Sequence, residues 1–104
     1  STLSNQLFAS YARVQDAKDL ASVIGEDELS PMDQAHLNFG RLFEKYFLYQ
    51  GFEENRSVIE TLELGWDLLS ILPIDALERV DQETLDMYYD HQRAVERFHI
   101  GDKP

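Results

Sequence analysis

Two acid–histidine pairs draw the eye first: Glu96 with His99, and Asp33 with His36, each three residues apart. On a helix that interval sets a carboxylate and an imidazole on one face, which is half of a di-metal helical-bundle site. The other half needs inward-facing glutamates from further helices. Glu60, Glu63 and Asp67 instead share one narrow polar stripe expected to face water, and Glu96 lies in a strongly polar tail. The ligand set is incomplete, so no metal ligands are assigned. His36 and His91 have side chains that exchange protons near neutral pH. Neither has a serine or other nucleophile at a telling distance along the chain. An exposed or hydrogen-bonded role accounts for both. Neither G-x-x-x-x-G-K-[ST] nor G-x-G-x-x-G occurs, so the chain shows no phosphate cradle of its own. No residue is assigned a catalytic role and no cofactor is expected here.

Two clusters bear on binding rather than catalysis. Phe39, Phe43, Tyr46, Phe47, Tyr49 and Phe52 fall close together. The first four keep helical core spacing, so packing explains them. Tyr49 and Phe52 sit at a helix end and in a loop, where stacking on a partner and a loose core edge are both open. Glu26, Asp27 and Glu28, followed by Asp33, make a dense acidic turn. Such a turn is either an ordinary solvated connection or a surface that steers toward a basic partner.

Bulk properties narrow the partners. The 104 residues carry 20 acids against 9 Lys and Arg, a formal charge of -11. That excess disfavours nucleic acid and anionic membrane, both of which bear phosphate charge. It favours a basic protein. Hydrophobic residues make up 43% of the chain, enough for one folded domain. There is no cysteine, which removes disulfides and thiolate metal sites. No apolar run approaches the roughly 20 residues that span a bilayer, so no membrane insertion is expected. No signal peptide is expected ahead of the first helix. The chain opens at Ser1 inside what reads as a helix, so a processed or excised fragment is expected.

Helical periodicity runs through most of the sequence. Leu3, Leu7, Phe8, Tyr11, Val14 and Ala17, then Leu20, Ala21 and Ile24, predict a first helix over about 3–24, with a break allowed near Gln15 or Asp16. Gly25 supplies the stop. Ser30 as cap, Pro31 at the first helical position and Asp33 in the first turn predict a second helix to about Gln50. Its expected inner face is Met32, Ala35, Phe39, Leu42, Phe43, Tyr46 and Phe47. Residues 52–56 read as a loop. The S-V-I-E capping box, Ser57 to Glu60, opens a third helix that ends before Pro73. Ile59, Leu62, Leu64, Trp66, Leu68, Leu69, Ile71 and Leu72 cover most of its circumference, which predicts a helix at the centre of the bundle. A helical turn over 74–80 and a last helix capped by Asp81 follow, the latter with Leu85, Tyr88 and Tyr89 on one face. The tail, residues 90–104, is expected to fray. No alternating strand pattern occurs. The expected fold is all-α, a single helical domain over 1–104.

SVIGEDELSPMDQAHL, residues 22–37, resembles the helix–turn–helix carrying the "DELSEED" loop of rotary ATPase head subunits, with Asp27, Glu28, Leu29, Ser30 and Asp33 at the matching positions. Pro31 and Met32 stand where the F-type catalytic subunit has two acids. QGFEENRSVIETLELGWDLLSILP, residues 50–73, is similar to a stretch of the B-type subunit of archaeal- and vacuolar-type ATPases, through Asn55, Arg56, Glu60, Thr61, Leu62, Gly65, Trp66, Leu68, Leu69 and Pro73. LSNQLFASYA, ALERV and the Tyr88–Tyr89 pair extend the likeness over roughly 1–90. The resemblance implies the C-terminal helical bundle of a non-catalytic subunit in a proton- or sodium-translocating ATPase or ATP synthase. It implies an alternating ring with catalytic A subunits, on the cytoplasmic side of a membrane-bound complex. The central stalk would be met through Glu26, Asp27, Glu28, Leu29, Ser30 and Asp33. The nucleotide-binding domain is expected upstream of Ser1, so ATP or ADP would belong to the whole subunit. The same resemblance puts Phe52 and Arg56 in a loop that approaches an adenine pocket; an ion-pair role within the bundle is the competing expectation for Arg56. The alternative to all of this is an independent acidic helical adaptor for a basic partner.

Overall fold

Each helix begins where a side chain can take up the unpaired N–H groups of a first turn. The computed structural model describes residues 1–49 and 56–101. Helix α1 spans Thr2–Ile24, and Ser1 Oγ accepts the N–H of Ser4 at 3.2 Å. It is continuous through Gln15 and Asp16. After a 3-10 turn at Glu26–Glu28 comes α2, Pro31–Phe43, capped by Ser30 Oγ on the Asp33 N–H at 3.1 Å. From Glu44 to Tyr49 the same helix winds more widely, with π-type bonding. Gln50 and the expected loop through Asn55 lie outside the described residues. Helix α3 spans Val58–Leu69 under Ser57, whose Oγ accepts the Glu60 N–H at 3.1 Å. A 3-10 turn at Ile74–Ala76 leads to α4, Gln82–Tyr88. The Asp81 carboxylate caps α4 by accepting the Thr84 N–H, and this bond lowers its pKa. The last helix is α5, His91–Phe98. All regular structure among the described residues is helical.

The core forms where α1 and α2 run together and α3 crosses them. Leu3, Leu7 and Val14 of α1 meet Phe39 and Phe43 of α2, and Leu64, Leu68, Leu69 and Leu72 close the space. Phe43 is the hub. Its ring lies 5.6 Å from that of Phe39 and 5.4 Å from that of Phe47, both stacked, and 4.9 Å from Tyr11. Gly40 lets the two helices approach: a Cβ there would fall 2.4 Å from Cγ1 of Val14, itself buried. Polar groups bind the same pair of helices. Tyr11 Oη donates to Glu44 at 2.7 Å, and Lys18 Nζ donates to the same oxygen at 3.0 Å. That bond to the carboxylate, helped by burial, pushes the Tyr11 pKa up to about 12, and it lowers that of Glu44.

The structure departs from the sequence-based expectations in three places. Helix α3 is interior only over its second half. Val58 and Ile59 are 76% and 67% exposed and Leu62 is largely exposed, because the neighbouring helices sit against Leu64 onward. Trp66 is half-buried and stacks on Tyr88 at 5.0 Å rather than filling the core. The expected frayed tail is also corrected over most of its length. Residues 91–98 form α5, whose Ala94 is fully buried. The reason is Asp67, expected on a solvated stripe but only 4% exposed. It accepts from Arg97 at 2.6 Å and pairs with Arg93 at 3.1 Å. Arg93 and Arg97 are one turn apart, so a single buried carboxylate fastens both turns of α5 to α3. Ser70 adds a second tie: its Oγ accepts the Asp90 N–H at 3.1 Å, and its carbonyl accepts from His91 Nδ1 at 2.8 Å. Residues 102–104 lie outside the described residues.

Two measurements test this packing. Gly40→Ala should lower stability in chemical denaturation by up to about 2 kcal/mol: overpacking against Val14 costs about 1–3 kcal/mol, offset by the roughly 1 kcal/mol that alanine returns in helix propensity. A raised midpoint would mean the helices are not held at this distance. Tyr11→Phe should cost about 1 kcal/mol at neutral pH, and it should remove a tyrosine ionising near pH 12 from the alkaline absorbance titration. Because the Tyr11 pKa is raised, its stabilisation is whole below the ordinary value of 10.0 and is lost as pH climbs from there through about 12. The Glu44 contribution has the opposite sign and is lost as pH falls through its depressed pKa.

Candidate functional site

The chain between α1 and α2 reverses direction in a short turn that holds three adjacent carboxylates. Gly25 makes the reversal possible. Its φ of +91° lies in the region that disfavours any residue with a Cβ, while a Cβ built there meets nothing within 4 Å, so the demand is conformational rather than steric. Its N–H closes α1 on the Ala21 carbonyl at 2.8 Å. The Glu28 and Leu29 N–H groups then bond back to Gly25 and Glu26 at 3.2 and 3.1 Å. Glu26, Asp27 and Glu28 all end up exposed.

Of the six expected contact residues, the structure separates the display from its mounting. The three acids 26–28 face outward. Leu29 points inward and is 5% exposed, packed with Ala17, Leu37 and Ala21. Ser30 caps α2 through its hydroxyl, and Asp33 supplies the N–H that this hydroxyl accepts. Asp33 is half-buried. Gln34, which no sequence motif singles out, is a clamp: its side-chain amide donates to the carbonyls of Leu29 at 3.1 Å and Glu26 at 3.4 Å. The one signal for such a mount in the sequence is Leu29 itself, a lone large apolar residue inside an acidic string. Arg41 reaches back to Glu26 at 3.6 Å, with both side chains mostly exposed. A pair in that setting is weakly stabilising and screened by salt. The turn is therefore a stiff mount holding three carboxylates in solvent.

The other expected sites are placed as follows. Arg56 donates to the Tyr46 carbonyl at 2.8 Å and lies 5.5 Å from the Phe47 ring centroid, so its guanidinium fastens the widened end of α2. Phe52 lies outside the described residues. His36 is buried; its Nδ1 donates to the Met32 carbonyl at 2.9 Å, which fixes the tautomer and selects the hydrogen-bonded role over the exposed one. His99 stands beyond the end of α5 in a left-handed conformation, off the helical face that carries Glu96. Among the described residues no three His, Cys, Asp or Glu side chains converge on a possible metal position. None of the described helices is long and apolar enough to cross a membrane.

Comparison with known proteins adds what geometry alone does not. A family described as the C-terminal domain of V and A type ATP synthase matches residues 1–89. The V-type ATP synthase beta chain 2 of Clostridium tetani is 60% identical over 87 residues, which is 84% of this chain and 19% of that protein. The V-type ATP synthase beta chain of Halothermothrix orenii is 59% identical over 87 residues, again 84% of this chain and 19% of the relative. The B-type subunit of the A-type ATP synthase of Halorubrum lacusprofundi is 49% identical over 87 residues, covering 84% of this chain and 18% of that protein. The chain thus spans about a fifth of the length of the curated relatives it matches.

The split between display and mounting has a direct test. Replacing Glu26, Asp27 and Glu28 together with alanine should leave the unfolding free energy within about 0.5 kcal/mol, as expected for exposed substitutions. Leu29→Ala should cost about 2–3 kcal/mol, because it opens a cavity under the turn. Equal losses in the two variants would show that the acids themselves hold the turn.

Proposed function

We propose, because this chain belongs to the C-terminal domain family of V- and A-type ATP synthases, that it serves as the helical end domain of a non-catalytic beta- or B-type subunit and presents its acidic turn to the central stalk. The observation carrying this reading is the construction of the turn: Glu26, Asp27 and Glu28 are exposed, while Leu29, Gln34 and Gly25 hold their backbone. Carboxylates on a stiff mount keep their positions when a partner pushes on them. A floppy acidic loop would yield instead. A concentrated negative surface also draws a basic partner in and fixes its register, an effect that weakens with salt.

In this reading the domain transmits force and performs no chemistry. ATP or ADP is handled elsewhere in the full-length protein and in the catalytic A subunits beside it in the head of the complex. The domain would sit on the cytoplasmic side, attached to the membrane only through the assembly. The family match displaces the reading of an independent adaptor.

The test is made in the assembled complex with the full-length protein. The Glu26, Asp27 and Glu28 triple alanine variant should assemble and bind nucleotide normally, and ATP turnover should become partly uncoupled from ion movement. Unchanged coupling across a range of salt would defeat the proposal.

A further inference from the structure

Beside the acidic turn, one surface carries the opposite charge. Arg41 and Lys45 stand one helical turn apart on α2, and His99 faces the same space from beyond the end of α5. Between them lies a cleft of about 430 Å³. Leu42, Phe98 and Ile100, all half-buried, line it from below. This is a cationic rim over an apolar floor on a chain whose formal charge is -11.

Arg41 and Lys45 are engaged only lightly within the domain. Arg41 pairs with Glu26 at 3.6 Å in a solvent-exposed geometry, and it also donates to the side chain of Asn38. Lys45 Nζ lies 5.3 Å from the centroid of the Tyr46 ring. Like charges one turn apart on a helix repel each other. A carboxylate entering between them would relieve that repulsion. The floor calls for an apolar group beside that carboxylate.

We infer that this cleft is a docking site for an acidic, apolar-anchored segment of a neighbouring subunit in the same complex; the inference rests on reading the chain as a subunit domain. Charge complementarity selects the occupant. A smaller hollow of about 170 Å³, lined by Glu26 and Asp27, shares Asn38 and Arg41 with the cleft. Negative charge on the segment is therefore repelled at the turn end and held toward the Lys45 end.

Asn38→Cys in the full-length protein reports on the cleft, through mass-spectrometric measurement of maleimide labelling at that position. Labelling should be at least about tenfold slower in the assembled complex than in the free subunit, as for a site more than nine-tenths covered. Adding Arg41→Glu and Lys45→Glu should bring the rate in the complex back toward that of the free subunit. If that charge reversal blocks assembly, Arg41→Gln with Lys45→Gln takes its place and must at least halve the protection. Equal labelling in free and assembled subunits would overturn the inference. So would protection that ignores both sets of charge changes. Loss of coupling in the acidic-turn variant with Asn38 still protected, or the reverse, separates this site from the stalk contact.

Discussion

The approach of α1 to α2 at Gly40 sets the geometry of these two helices and of the turn between them. With no Cβ at that position, Val14 enters the face of α2, and the two helices lie closer than side chains on both would permit. That closeness brings Phe43 under Tyr11 and lets Glu44 receive both Tyr11 and Lys18. It also fixes the distance that the chain must bridge between the helices, and hence the tightness of the turn from Gly25 to Ser30. The carboxylates of that turn stand where they do because two helix ends are already pinned.

The later helices are held differently. Helices α4 and α5 are short and supply few core residues, Leu85 and Ala94 among them. They are fastened by directed polar bonds. Asp67 binds Arg93 and Arg97, Ser70 binds the start of α5, Tyr89 Oη donates to the Leu72 carbonyl at 2.7 Å, and Gln6 of α1 accepts the Arg79 N–H at 2.8 Å. A buried carboxylate is costly without partners and specific with them. This arrangement gives small helices one docking position where apolar area alone would leave several. The family match covers residues 1–89, and α5 follows it at His91–Phe98.

Charge is distributed to match. The acidic turn stands at one end of α2, and the Arg41–Lys45 rim lies further along the same helix. Phe47 stacks on Phe43 while Lys45 stays in solvent. One helix thus carries a hydrophobic spine inward and a graded charge outward. A domain that acts through contacts with neighbours needs both: a body that does not deform, and surfaces that distinguish one neighbour from another.

Much of this is legible in the residues alone. The caps at Ser30, Ser57 and Asp81, the stop at Gly25 and the spine from Phe39 to Phe47 depend on neighbours three or four positions away, and local rules reach that far. The family is legible from the strings around the acidic turn and the Gly65–Trp66 helix. Periodicity does not show which face of a mostly apolar helix is covered, so Ile59 and Leu62 read as core although both are exposed. Nor does it show that Asp67 is buried, because its partners lie 26 and 30 residues away. For the same reason Arg93 and Arg97 read as part of a solvated tail. The residues by themselves determine helices α1 to α4 and the acidic display. Only the tertiary structure decides that Leu29 and Gln34 hold that display, that α5 is a docked helix, and that Arg41, Lys45 and His99 meet across one cleft, because each depends on parts of the chain that packing alone brings together.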